Sequence, residues 1–362
     1  MVLIGSTMRR IQGTVLFAFV AMGCTGEDVQ LTSPASVRNV VSTLAGTGAA
    51  GTLDGLSTVA TFDHPYAVAL GPDGSLYVAD TYNNKIRKIA TDGTVATYAG
   101  TGAASLMDSD CAHATFNYPT SIAVDSAGNV YVADRANQAI RKITAIPCQV
   151  STLAGPVTDV DSGNTTSPFN GPTGLTVDAS GNVYVTDFTN NTILKVTSTG
   201  TVIPIAGNGS AGNANGTTSI ATFNSPVGIA VDGAGNLYVA DLKNNDVRKI
   251  TSDSVSTLAG SGAQGPLTDG TGDLAAFNGP YGLAIGADNN LYVADRGNNA
   301  IRKVSPAGEV TTLAGTGTPG ADDDPADTAT FNQPTGVAVD DAGILYIADT
   351  ANNKVRKITL AP

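Results

Sequence analysis

The stretch Leu76–Ile89, LYVADTYNNKIRKI, decides the fold because it returns five times. The echoes begin at Val130, Val183, Leu237, Leu291 and Leu345, as VYVADRANQAIRKI, VYVTDFTNNTILKV, LYVADLKNNDVRKI, LYVADRGNNAIRKV and LYIADTANNKVRKI. Its aspartate falls at Asp80, Asp134, Asp187, Asp241, Asp295 and Asp349, with successive gaps of 54, 53, 54, 54 and 54 residues. A fixed period of this size is the mark of a repeat architecture.

Each period reads as four short strands divided by turn residues. In the first unit these are YAVAL (Tyr66–Leu70), SLYVA (Ser75–Ala79), KIRKI (Lys85–Ile89) and TVATYA (Thr94–Ala99), separated by Gly71-Pro72-Asp73-Gly74, Asp80-Thr81-Tyr82-Asn83-Asn84 and Thr91-Asp92-Gly93. Five-residue strands with Gly, Asn and Asp turns fit an antiparallel meander. Meanders repeated radially make a β-propeller. The first strand supports this with small residues at Ala67, Ser121, Gly174, Gly228, Gly282 and Gly336, and again two places on at Ala69, Ala123, Thr176, Ala230, Ala284 and Ala338. Inner strands crowd where sheets converge on an axis, and small residues suit that crowding.

The last unit ends without a fourth strand. The segment Val40–Gly46, VVSTLAG, matches Val310–Gly315, VTTLAG, and has no unit of its own. The expected fold is therefore all-β: a six-bladed propeller of four-stranded antiparallel blades, with the N-terminal strand completing the last blade and removing an open seam.

About 18 residues join each fourth strand to the next first strand. An Asp or Asn stands eight residues before a Phe in every unit: Asp54/Phe62, Asp108/Phe116, Asp161/Phe169, Asn215/Phe223, Asp269/Phe277 and Asp323/Phe331. Such recurrence predicts an ordered loop, with the Phe as a buried plug and the Asp as a turn former. The six aspartates of the organising stretch read as structural too. Each is expected to bond the local backbone or to pair with the arginine seven residues on: Arg87, Arg141, Arg248, Arg302 or Arg356, with Leu194 in the third unit.

Composition narrows the function. The 362 residues carry a formal charge of −12, with 14% charged and 42% hydrophobic residues. An acidic chain lacks the basic footprint that supplies most nucleic-acid affinity, so no nucleic-acid partner is expected. Residues 1–23 read as a targeting segment: Arg9 and Arg10 precede an apolar run, Ile11–Met22, too short for a comfortable membrane span. The run ends Ala21-Met22-Gly23-Cys24, which resembles a bacterial lipoprotein signal, although Ala21 stands where leucine is usual. That resemblance implies lipidation at Cys24, an exported protein of the bacterial cell envelope (lipid-anchored, periplasmic or extracellular), and membrane contact by the anchor alone. Removing residues 1–23 moves the formal charge from −12 to −14. Residues 24–37 read as a polar tether and 38–362 as the propeller.

The repeats closely resemble the NHL repeat family of six-bladed propellers. The pattern is F-x-x-P, G-[ILV]-A-V-D, G-N-[LV]-Y-V-A-D-x-x-N-N-x-[IV]-R-K-[IV] and T-L-A-G, over roughly residues 38–360. The resemblance implies binding through one face of the disc, mostly of proteins, RNA or glycans. It also opens an alternative, since some related propellers are calcium-dependent lactonases or amidating lyases.

The residues argue against that alternative. Lactonase-like metal sites need Glu, Asn and Asp on the axis, and the only Glu of the propeller is Glu309, in an outer turn. Zinc sites need clustered histidines, and only His64 and His113 exist, without ligand spacing. Asp322-Asp323-Asp324 with Asp327 offers oxygen ligands for calcium, yet reads better as a solvated acidic turn. No catalytic residue, metal or cofactor is assigned. A binding site is expected where the repeats differ on the loop face: His64, Tyr66, Tyr82, Tyr118, Arg135, Phe188, Lys243, Tyr281 and Arg296. Aromatics with a few cations suit a glycan, peptide or protein partner. The expected protein is a monomeric, non-catalytic binding scaffold; the alternative is a metal-dependent hydrolase or lyase.

Cys111 and Cys148 leave two readings open. An even pair in an exported protein suggests a disulfide. Their placement in an inter-blade loop and in a turn between the third and fourth strands suggests opposite faces, so a bond requires the loop to fold down the outer side of the blade.

Overall fold

The computed structural model describes residues 38–158 and 164–361. The targeting segment, the tether, Cys24 and Asp161 lie outside them. The described chain forms six antiparallel blades arranged as a closed six-bladed propeller, with one further two-stranded sheet, Val157–Thr158 against Thr165–Thr166.

Blade 1 runs outward through Pro65–Leu70, Leu76–Asp80, Lys85–Ile89 and Thr94–Ala99. Blades 2 to 5 repeat this order from Pro119, Pro172, Pro226 and Pro280. Blade 6 has Pro334–Val339, Leu345–Asp349 and Lys354–Thr359 from the C-terminal end, and its outer strand is Val40–Ala45. The closing register pairs Val40 with Thr359, Val41 with Ile358 and Thr43 with Arg356. The inner strand of each blade packs on that of the next, and the last returns to the first. Threonine hydroxyls lock neighbours together: Thr120 Oγ1 donates to Thr173 O (2.9 Å) and Thr335 Oγ1 to Tyr66 O (2.6 Å).

The core is not one mass but a ring of layers, each drawn from two adjacent blades. Between blades 1 and 2, for instance, Tyr77, Ala79 and Ile86 meet Phe116, Ile122, Val130 and Val132. Every loop phenylalanine from Phe62 to Phe331 is buried. The small inner-strand residues answer to close approach. A Cβ at Gly174 would overlap the Val227 carbonyl, and one at Gly228 would overlap that of Tyr281.

Two details differ from the sequence expectation. The second strand is one residue later, Leu76–Asp80, because Asp80 still pairs across to Lys85. Four blades also gain a fifth, two-residue strand from the long loop, as where Ser109–Asp110 lies along Gln149–Ala154. That added strand carries the loop down the outer edge of blade 2 and sets Cys111 beside Cys148, whose Cα atoms are 5.5 Å apart and whose sulfurs are bonded. The assumption that the two lie on opposite faces fails, because a loop that pairs with the outer strand spans both.

Candidate functional site

The face that carries the variable residues is built by the Asp-x-x-Asn-Asn turn. Asp80 is fully buried and receives the Asp63 N–H (2.8 Å), the Asn83 side-chain amide (2.9 Å) and the Arg87 guanidinium (2.7 Å). Both expected partners, backbone and arginine, are thus present at once. The second Asn takes the left-handed conformation, φ 52° at Asn84, which Asn tolerates better than most residues. Its side-chain oxygen then accepts the Tyr118 N–H of the next blade (2.8 Å). The same bond joins Asn353 to His64, Asn191 to Ser225, Asn245 to Gly279 and Asn299 to Gln333. The residue before five of the six inner-strand prolines is thereby fixed on the rim of the axial opening; before Pro172 the bond is missing, since Gln138 stands where the other blades have Asn.

Asp54, Asp108, Asp269 and Asp323, expected as turn formers, instead pair with the strand-three arginines. Arg87, buried, reaches both Asp80 and the loop residue Asp54, takes Thr61 O and Leu53 O at 3.0 Å each, and lies over Phe62 at 5.3 Å. Arg141, Arg302 and Arg356 repeat this with Asp108, Asp269 and Asp323, and Arg248 uses Asn215. A partner 33 residues away is set by how the loop packs, which sequence spacing alone does not disclose. Burial raises the pKa of Asp241 to about 6, against the Asn224 N–H, Asn244 and Arg248. In blade 3, where Leu194 replaces the arginine, burial likewise raises Asp187, opposed only by Asn170 and Asn190.

The acidic run near residue 323 is engaged in the same way. Asp323 accepts from Arg356 (2.6 Å) and from Thr43 N (2.8 Å), and Asp327 pairs with Arg38 (3.0 Å). Those carboxylates serve the seam between the chain ends. His113 pairs with Asp110 on the outer loop, away from the axis.

The nine variable residues singled out above fall into two contact networks around the axial opening. His64 stacks on Tyr82 (centroids 4.1 Å, interplanar 19°), and Tyr82 meets Tyr118 at 5.5 Å. Tyr66 stands edge-on to both Tyr118 and Tyr281 at 5.9 Å, with Tyr118 Oη donating to Tyr66 Oη (3.3 Å). Arg296 caps Tyr281 at 5.8 Å. Across the opening, Arg135 and Lys243 flank the Phe188 ring at 5.0 and 5.9 Å. Burial raises the phenols of Tyr118 and Tyr281 well above their ordinary value, and the neighbouring Tyr66 adds to the shift of both; Arg135 and Arg296 pull Tyr281 the other way.

Below this rim the axis narrows to a cavity of about 70 Å3. It is lined by residues such as Ala67, Thr120, Ser121, Thr173, Gly228 and Thr335. Its far end is aliphatic, with Val68, Ile122, Leu175, Ile229, Leu283 and Val337. Hydroxyls and methyls therefore converge on the axis where a metal-dependent site needs carboxylates and amides, and among the described residues no three His, Cys, Asp or Glu side chains gather as a metal would require.

Larger spaces lie between blades. One of about 480 Å3 separates blades 2 and 3, lined by Asn117, Tyr118, Arg135, Gln138, Asn170 and Thr189 among others. Another, of about 390 Å3, separates blades 5 and 6 and includes Asn278, Arg296, Asn332 and Gln333. The sequence reading missed Asn117, Asn170, Gln138, Thr189 and Gln333. Repeat columns hold the signal: Gln333 occupies the position of His64 and Tyr118, and Thr189 that of Tyr82 and Lys243.

The NHL repeat family model matches residues 62–89, 116–143, 169–196, 223–250, 277–304 and 331–358. Among curated proteins, NHL repeat-containing protein 2 of Homo sapiens is 29% identical over 326 residues, covering 79% of this chain and 45% of its own length. The chain spans less than half the length of the curated relatives it matches. Among solved structures, an auxiliary nutrient binding protein of Bacteroides thetaiotaomicron superposes with a TM-score of 0.68 at 18% identity, covering 90% of this chain and 77% of that one. The catalytically inactive virginiamycin B lyase of Staphylococcus aureus with quinupristin gives 0.55 at 17%, covering 89% and 99%. At these identities the two structures speak for the fold alone.

Proposed function

Because this chain belongs to the NHL repeat family as a six-bladed propeller, we propose that it is a non-catalytic binding module that takes its partner, a glycan or a protein, on the loop face. One observation carries this reading. The positions where the repeats diverge are the ones that touch around the axial opening, as linked aromatics with three cations. Divergence from a repeat costs packing regularity, so a contiguous patch of it marks a surface put to use. The nutrient binding neighbour agrees with a binding role. We propose further that the chain is exported and held at a membrane by lipid on Cys24, on the strength of the Arg-Arg, apolar-run and Cys pattern of residues 9–24.

An array of peptides and glycans, probed with the parent and two variants, tests the binding reading. Tyr82→Ala with Lys243→Ala alters the loop face; Lys88→Ala with Lys195→Ala alters side chains nearer the opposite face. Hits that vanish only in the first variant are expected. Hits indifferent to it, or none, overturn the reading. Stoichiometric, chelator-sensitive metal in native mass spectrometry, together with turnover of a lactone, reinstates the hydrolase or lyase alternative. For the anchor, Cys24→Ser is expected to move the protein from the detergent to the aqueous phase.

A further inference from the structure

The arginines of the described chain divide into two kinds. Arg38, Arg87, Arg141, Arg248, Arg302 and Arg356 each pair with a carboxylate. Arg135 and Arg296 do not, in a chain of formal charge −12 that has acids to spare. These two share one repeat position, directly after Asp134 and Asp295, in blades three apart and so on opposite sides of the axis. They differ in one respect. Arg296 Nη2 donates to Gln333 Oε1 (2.6 Å), which ties it to the rim. The Arg135 guanidinium has no acceptor among the described residues; its Nε is buried without a partner, as is that of Arg296, so the difference lies at the terminal nitrogens. Only the Phe188 ring holds it. Gly171 lies beside it in the left-handed region, φ +77°, which favours glycine.

A guanidinium without an acceptor is an open planar fork, and carboxylates match it with two parallel hydrogen bonds. Its surroundings add a second requirement. The space it lines, about 480 Å3, is bordered by Asn117, Gln138, Asn170, Thr189 and Tyr118, residues that carry amides, a hydroxyl and an aromatic ring. Planar amides and hydroxyls satisfy vicinal hydroxyl groups, and an aromatic ring gives an apolar platform for the C–H face of a pyranose. Capture of an extended peptide by strand addition needs an open sheet edge, and here the inner strands at the rim are already paired within their blades and packed on neighbouring blades.

We propose that the space between blades 2 and 3 is a subsite for a uronic acid, with Arg135 taking the sugar carboxylate, Tyr118 stacking on the ring, and Asn117, Gln138, Asn170 and Thr189 serving its hydroxyls. This rests on the loop-face binding reading and gives that face a ligand class. The Arg296 space differs in both respects, since Arg296 Nη2 is already taken by Gln333 and its lining includes no aromatic ring.

Isothermal titration of the whole protein with trigalacturonate, the matching neutral galactotriose and an oligo-aspartate peptide tests it. Trigalacturonate is expected to bind roughly tenfold or more tightly than the neutral sugar. Arg135→Ala and Arg135→Gln should reduce it to the neutral level with unchanged melting, while Lys88→Ala with Lys195→Ala, nearer the opposite face, leaves it unaltered. Equal affinity for the two sugars, or indifference to Arg135, overturns the uronate subsite but leaves the binding face standing if Tyr82 and Lys243 still matter. Oligo-aspartate binding as tightly as the uronate overturns the sugar assignment. No binding by any probe, with an empty array, sinks both readings.

Discussion

At the scale of single residues, the buried aspartates separate two kinds of carboxylate that look alike in the sequence. Asp241 sits at zero exposure against Arg248 at 2.9 Å. Replacing it with Asn leaves that guanidinium buried without its charge partner, and breaking such a pair costs about 3–5 kcal/mol. Asp187 has Leu194 in place of the arginine, so Asp187→Asn is expected to cost less than about 1 kcal/mol. Urea unfolding of the two variants checks the contrast. The pH dependence of Asp187 has a definite sign. Burial raises its native pKa, so the folded state holds the proton more tightly than the unfolded chain. Its contribution to stability is fully present below the unfolded value of about 3.9 and is lost as pH rises through the native value. Asp187→Asn should therefore gain on the parent as pH rises through that window. Stability curves that stay parallel would show that Asp187 is not titrating there.

At the scale of elements, the inner strand and the long loop behave differently. Gly228 sits where a Cβ would overlap the Tyr281 carbonyl of the next blade, while nothing lies within 4 Å of Gly233 in the turn that follows the same strand. Gly228→Ala is expected to destabilise by roughly 1–3 kcal/mol through overpacking. Gly233→Ala should stay within about 0.5 kcal/mol. Thermal melts of the pair distinguish close approach of blades from a general intolerance of the strand. The loop of blade 2 is fixed by pairing and by the Cys111–Cys148 bond across 37 residues. Closing a loop of that length accounts for about 3–4 kcal/mol in the chain-entropy picture. Cys111→Ser with Cys148→Ser should lower stability by up to that amount, read by urea titration. A much smaller loss would show that the Ser109–Asp110 strand holds the loop unaided.

For the whole molecule, closure depends on residues more than 300 positions apart. Val41 and Ala45 enter two of the inter-blade layers, and their strand covers Lys354–Thr359. A chain beginning at residue 47 loses that packing, on the order of 5 kcal/mol, and bares a strand edge that invites association. Sedimentation should show oligomers and the melt should broaden; a monomer with a sharp transition would mean that the ring does not need its seam. The sequence by itself determined the number of blades, the order of strands, the seam and the list of diverging residues, because periodicity and local turn chemistry are written in consecutive positions. It did not disclose that Asp54 and its counterparts clasp the strand-three arginines, that the loop folds far enough to join Cys111 to Cys148, or that Arg135 is left without an acceptor while Arg296 is tied to Gln333. Those facts depend on distance in space between residues dozens of positions apart, and only the packing of blade on blade sets that distance.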